Sequence, residues 1–363
     1  MHCIDWDHRM ISQWLSLQRA PVKLRREIIT WWQQTGEHHI SLPHTAGLPA
    51  AATAEVQRVF DWLGESSSHF LLSYHCADYP QSLREIYRPP ILLFGIGDKT
   101  LLNHRLLAVI GSRKASPLAL SLTEAMVTDL CKAGWGIVSG MALGIDGLAH
   151  RTALATHLPT IAVLGCGPDL NYPPRNRALR QQICTQGVVL SEYMPGTPAK
   201  TEHFPARNRI ISGISAGVLV AEANVRSGSL ITARYAIEQG REVFAIPGPV
   251  PHPGSAGCHL LIQQGAKLVT CAADIISELP SWPANTAVNG QQQLELANKP
   301  GESVPKLLAN AELLANVGYE TTSFDWLLQQ TNDSVSEVVN QLISLELDGW
   351  IKTVPGGYVR VRR

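Results

Sequence analysis

The sequence predicts an α/β chain built on a doubly wound, mostly parallel sheet, with a small all-α domain before it and a winged helix after it. Three observations carry this expectation. From Leu106 to Val269 short unbroken apolar runs alternate with helical stretches; residues 1–75 place apolar side chains at helical spacing; and residues 304–363 read as helices followed by a hairpin. The boundaries that follow are 1–75, 76–280, a flexible linker over 281–303, and 304–363.

In the first segment Ile11, Trp14, Leu15 and Leu17, then Leu24, Ile28, Ile29, Trp31 and Trp32, recur closer to a period of 3.6 than of 2. Trp6, Trp14, Trp31, Trp32 and Trp62 could stack on bases, but in so small a domain large aromatics are expected to be the core. Tyr79 to Gly97, with Pro80, Pro89 and Pro90, reads as a connector ending in a short strand, Ile91-Leu92-Leu93-Phe94.

The sheet is read from Leu107–Ile110, Gly136–Val138, Thr160–Leu164, Val188–Leu190, Gly217–Val220, Glu242–Ile246 and Lys267–Val269. Continuous rather than alternating apolar runs mean strands buried on both faces, which is the habit of parallel sheets covered by helices. The runs end in small or polar residues, among them Gly111-Ser112-Arg113, Ser139-Gly140, Gly165-Cys166-Gly167, Ser191-Glu192 and Ala221-Glu222. Ligands of open parallel sheets lie beyond the carboxyl ends of the strands, so these tips are expected to line one crevice. Gly165-Cys166-Gly167 is followed by Pro168 and Asp169 instead of a helix-opening glycine, which excludes the usual dinucleotide fingerprint, and no phosphate-loop signature is present. No cofactor is expected.

With 30 basic and 30 acidic residues in 363, the chain has no net field to draw polyanions, so any nucleic-acid site must be a local patch. Seven scattered cysteines without a CxxC pair signal neither a disulfide framework nor a zinc site, and read as buried thiols of a reducing cytoplasm. No run approaches the roughly 18 apolar residues of a spanning helix.

Several features point to an anionic ligand. Phe204-Pro205-Ala206-Arg207-Asn208-Arg209 sets a ring, two guanidiniums and an amide just before an apolar helical run. Such a grouping suits a nucleic-acid strand, the ring stacking on a base and the arginines meeting phosphates; the alternative is a plain turn into a helix. Positive charge in a first helical turn opposes the macrodipole, which favours an external anion as partner. Gly111-Ser112-Arg113-Lys114, with Ser116 and Pro117 opening the next helix, and Arg226-Ser227-Gly228-Ser229 offer two helix starts suited to phosphate. Asp146 and His150, spaced i, i+4, are expected to face each other as an ion pair rather than as catalytic groups.

These residues carry a resemblance. Gly111-Ser112-Arg113, the run from Ser139 to His150, Thr160 to Gly165, Phe204 to Gly213, Ser227 to Ala233 and Glu238 to Gly248 together resemble the DprA/Smf family of DNA-processing proteins over about residues 75–280. The resemblance implies a Rossmann-like domain binding single-stranded DNA without sequence preference. It also implies a homodimer, RecA recombinase as partner during natural transformation, and flanking modules of SAM/helix-hairpin-helix-like and winged-helix type. One departure removes a charge near the crevice: Leu143 stands where the family usually carries arginine.

In the tail, Leu307 to Ala315 and Thr322 to Gln329 read as helices, Ser334-Val335-Ser336-Glu337 as a capping box opening a third, and Trp350–Val354 with Tyr358–Arg362 as a hairpin around Pro355-Gly356-Gly357. The third helix carries Glu337 and Glu346 and no Lys or Arg, poor chemistry for a major groove, so this module is expected to contact protein or regulate, with weak DNA contact through Lys352, Arg360, Arg362 and Arg363. Two functions stand: a non-enzymatic, cytoplasmic single-strand binder that mediates recombination, or a phosphoribohydrolase-like enzyme on nucleotides using Asp146, Glu192 and Glu222 at the strand tips.

Overall fold

The computed structural model describes residues 6–35, 48, 50–279, 313, 317, 322–330, 334–347 and 350–360. They belong to two compact units, Met1–Ala287 and Val288–Arg363.

The first unit is organised by strands β1 (His69–Ser73), β2 (Leu92–Gly97), β3 (Leu106–Ile110), β4 (Gly136–Ser139), β5 (Thr160–Leu164), β6 (Val188–Ser191), β7 (Gly217–Val220), β8 (Glu242–Ala245) and β9 (Lys267–Leu268). They form one nine-stranded sheet in the order β1-β2-β6-β5-β4-β3-β7-β8-β9. From β6 to β9 every pairing is parallel; β1–β2 and β2–β6 are antiparallel. The chain winds outwards from β3 in one direction through β4, β5 and β6, then returns to the other side of β3 with β7. The topological switch point therefore lies between the tips of β3 and β7.

The unbroken apolar runs are explained by two cores, one on each face. Along β3, Leu107 and Val109 join one core while Ala108 and Ile110 join the other, none more than 3% exposed. The covering helices are α5 (Pro117–Lys132), α6 (Ile145–Ala155), α7 (Arg177–Gln186), α8 (His203–Gly213), α9 (Ser229–Glu238), α10 (Ala256–Gln263) and α11 (Ala272–Ile276), preceded by α1 (His8–Arg19), α2 (Val22–Thr35), α3 (Thr53–Gly64) and the single turn α4 (Gln81–Arg84).

Helices α1 to α3 share a core with the sheet. Trp14 and Trp32 pack 5.8 Å apart, Trp32 lies 6.0 Å from Tyr74, and Trp62 meets His69 at 4.5 Å and Phe94 of β2 at 6.2 Å. Those three tryptophans, each 5% exposed or less, are thus the joint between helices and sheet edge. The antiparallel edge strand β1 had no counterpart among the expected elements. The cysteines depart from the expectation of burial: Cys131, Cys166 and Cys258 are buried, but Cys76 and Cys184 are half-buried and Cys271 is exposed.

In the second unit α12 (Phe324–Gln330), α13 (Val335–Leu347), β10 (Ile351–Val354) and β11 (Gly357–Arg360) enclose Leu327, Val338, Leu342, Leu345 and Ile351. The capping box is formed: Ser334 N donates to Glu337 at 2.8 Å, and Glu337 N to Ser334 Oγ at 3.4 Å. Glu346 accepts from Thr353 N at 2.8 Å and Oγ1 at 3.0 Å, so an acid on this helix serves to tie it to the wing hairpin. The linker over 281–303, the first tail helix apart from Leu313, and Arg362 and Arg363 lie outside the described residues.

Candidate nucleic-acid interface

The crevice at the switch point is assembled from the loops after β3, β4 and β7. Ser229 Oγ donates to Gly111 O at 2.9 Å, and Ile145 N donates to Ser112 O at 3.2 Å, so the two expected helix starts and the Ser139–Gly144 loop meet at one place. Gly144 makes this closure possible. Its φ is +76°, and a Cβ there would stand 2.2 Å from Ser112 O, a position and a conformation open only to glycine. Half-buried Leu143 precedes it in the same loop.

Beside this floor stands an aromatic and cationic cluster. Phe204 is stacked on Tyr172 at 5.4 Å and 30°, with the Arg113 guanidinium 6.0 Å and the Arg207 guanidinium 5.9 Å from its ring centroid. Tyr172 is 43% exposed. The ring of Phe204 lies close over Gly165, where a Cβ would come within 2.9 Å of it, which accounts for that glycine without a dinucleotide. Arg113, Lys114 and Arg226 are exposed and have no ion pair among the described residues.

Other expected site residues are placed differently. Arg207 and Arg209 do not stand side by side, because residues two apart on a helix point to opposite faces. Arg207 is 6% exposed; its Nη1 donates to Gly140 O at 2.9 Å and to Val163 O, and its Nε to Asn208 Oδ1 at 3.3 Å. Burial lowers its pKa to about 10, against the opposing pull of Asp146. Arg209 pairs with Glu192 at 2.6 Å and donates to Arg88 O at 3.0 Å and Ala206 O at 2.9 Å. Both arginines find anionic or carbonyl partners within the chain, so the macrodipole no longer requires an external anion. Ser139 is fully buried, donating to Val109 O at 2.6 Å.

The helix start at α5 is likewise supplied from inside. Ser116 caps it as expected, accepting from Ala119 N at 3.1 Å, but Glu222 also arrives there, accepting from Ser116 Oγ at 2.6 Å and Ser116 N at 3.2 Å. A carboxylate at a helix N-terminus occupies the place expected for phosphate. At α9, Ser227 Oγ accepts from Ser229 N at 3.2 Å, leaving Arg226 exposed beside it.

Asp146 and His150 form no ion pair. Asp146 Oδ2 accepts from Gly140 N at 3.1 Å and Ala142 N at 3.3 Å, and burial raises its pKa despite the nearby Arg207 charge. It holds the β4 loop in shape. His150 is fully buried, and burial, followed by Arg207 and Arg151, lowers its pKa to about 3, so its ring is neutral and cannot be a cationic partner. The Thr160 hydroxyl donates to Ile137 O at 3.1 Å, hence Nδ1 is the donor in its 2.7 Å contact with Thr160 Oγ1, and Nε2 is left buried without a partner.

Tyr172 was absent from the sequence reading. A lone tyrosine in the Pro168–Pro174 loop carries no pattern; only its stacking on Phe204 reveals it.

A protein-family model described as DNA recombination-mediator protein A matches residues 70–280, and one described as DprA winged helix domain matches residues 299–357. The Protein Smf of Escherichia coli K12 is 42% identical over 339 residues, 91% of this chain and 87% of that protein. The X-ray structure of DNA processing protein A from Streptococcus pneumoniae superimposes with a TM-score of 0.65 at 38% identity, covering 76% of this chain and 99% of that one. DNA processing protein A from Helicobacter pylori, whose structure addresses its single-stranded DNA binding mode, gives a TM-score of 0.53 at 31% identity over 58% of this chain and 94% of that one. With its central domain and winged helix both matched, and with a relative aligned along nearly its whole length, this chain belongs to the DNA recombination-mediator protein A family, the DprA/Smf proteins.

Proposed function

We propose that this protein binds single-stranded DNA without sequence preference in the crevice at the β3–β7 switch point. The observation that carries the reading is the Tyr172–Phe204 stack flanked by Arg113. Exposed aromatic rings next to unpaired cations hold a strand through base faces and phosphates, both of which every nucleotide has. Arg113, Lys114 and Arg226 meet phosphates, with Gly111, Ser112, Gly140, Gly228 and Ser229 forming the floor. Buried Arg207 and half-buried Asn208 act from beneath, as the support of the Phe204 side.

The family description supports a wider role in mediating recombination; we infer that the protein hands the strand to RecA in the cytoplasm during DNA uptake. The exposed apolar side chains Val225 and Ile237, with Leu268 on β9, favour a homodimer that keeps two crevices in one assembly. The role is non-enzymatic, since Asp146, Glu192 and Glu222 are each held by hydrogen bonds or an ion pair within the chain.

Tyr172→Ala is the clean test of stacking, because Tyr172 is exposed where Phe204 is half-buried, and its loss spares the core. It is expected to reduce affinity for a single-stranded oligonucleotide by about 1–3 kcal/mol with an unchanged melting temperature, while equal-length duplex binds more weakly in both proteins. A folded Tyr172→Ala protein with full affinity would remove the stack from the site.

A further inference from the structure

On the opposite side of α8 from Phe204 and Arg207, the first unit has a second cleft of about 340 Å³. This lies within the roughly 300–1,000 Å³ of small-molecule sites. It runs between α1 and α2, the tip of β6 and α8, and four guanidiniums line it: Arg25, Arg26, Arg88 and Arg209. Glu192, the one carboxylate in the lining, is already bonded to Arg209 at 2.6 Å, so the lining carries four positive charges against one negative.

Arg209 is held by Glu192 and two carbonyls, but Arg25, Arg26 and Arg88 have no carboxylate partner of their own among the described residues. Arg25 Nε is buried with no hydrogen-bond acceptor, and burial, together with the charges of Arg209 and Arg88, holds its pKa below the ordinary arginine value despite Glu192. Arg26 rests on the exposed ring of Tyr87 at 4.4 Å, bonding its hydroxyl at 2.7 Å. Arg88 is exposed and has no ion pair among the described residues. Like charges gathered in a half-dry cleft repel one another, and a polyanion converts that repulsion into attraction through the planar donor forks. Tyr193, Tyr235 and the buried Pro89 supply an apolar wall on which a base can lie.

We propose that this cleft binds a 5′-phosphorylated nucleoside, with Arg25, Arg26 and Arg88 on the phosphates and the base against Tyr193 and Tyr235. A free nucleoside triphosphate and the phosphorylated 5′ end of a DNA strand share that chemistry. Isothermal titration of the full chain with ATP, and with a short oligothymidylate carrying either a 5′-phosphate or a 5′-hydroxyl, separates the two sources. ATP binding that falls about tenfold in Arg88→Gln and in Arg25→Gln, the loss of one charge-assisted contact, assigns the cleft to the free nucleotide. A preference for the 5′-phosphate oligomer that disappears in the same variants assigns it to the strand end. Lys132→Gln, which removes an exposed cation that belongs to neither crevice, is expected to leave either signal intact. Since Arg88 is exposed, Arg88→Gln remains decisive even where Arg25→Gln fails to fold. The proposal is overturned by absence of both signals at millimolar ligand, by signals unchanged in folded Arg88→Gln, or by signals lost equally in Lys132→Gln.

Discussion

Replacing Arg207 by methionine is expected to destabilise the first unit by about 3–5 kcal/mol, the usual cost of removing one partner from a buried charged network. The guanidinium is 6% exposed, donates to Gly140 O and Val163 O, and is the positive charge next to Asp146. Methionine keeps much of the packing volume and supplies no donor, so Asp146 is left buried without its cation. If Arg207 instead acted chiefly on phosphate, the variant would melt normally and lose only affinity. Chemical denaturation separates the outcomes, and Asp146→Asn in the same chain is expected to recover part of the loss by removing the stranded charge.

Acidification is expected to produce the second large effect, through His150. The folded state holds this imidazole near a pKa of 3 against an ordinary value of 6.5. In the unfolded chain His150 takes a proton as pH falls below 6.5, whereas the folded ring refuses it until near pH 3. Stability therefore falls with pH across that window, by at most about 5 kcal/mol at 1.36 kcal/mol per pH unit. Asp146 acts in the opposite sense at the acid end: burial raises its folded pKa, so it takes up its proton first in the folded state and returns some stability. Denaturation free energies between pH 7.5 and 4 in the wild type and in His150→Gln test this. The variant should show a shallower decline below pH 6.5, and identical slopes would mean that His150 is protonated alike in both states.

The sheet was legible because its signal is a run of adjacent residues. Leu107 to Ile110 needs no partner to declare burial on both faces, and Ser116 with Pro117 marks the start of α5 locally. Tertiary placement was not legible. β1 pairs only through its contacts with β2, and α1 to α3 looked like a domain of their own because helical periodicity says that a face is buried, not what covers it. The arginines of α8 illustrate the same limit. Their types and spacing suggested anion binding, but the turn of the helix sends one towards Gly140 and the other to Glu192. Glu222 looked like a free acid at a strand tip until the fold brought Ser116 to it from across the switch point.

The central claim, that the exposed cations of the switch-point crevice hold a strand by its phosphates, is tested most directly by the salt dependence of binding. Fluorescence anisotropy of a labelled oligothymidylate, titrated with wild-type protein and with Arg113→Ala/Lys114→Ala across a salt series well below the melting transition, gives the slope of log affinity against log salt. Each lost phosphate contact flattens that slope by roughly 0.7 for single strands, so the double variant is expected to show a slope flatter by about 1.4 with an unaltered melting temperature. A double variant with the wild-type slope and wild-type affinity would contradict the claim and place the strand elsewhere on the protein.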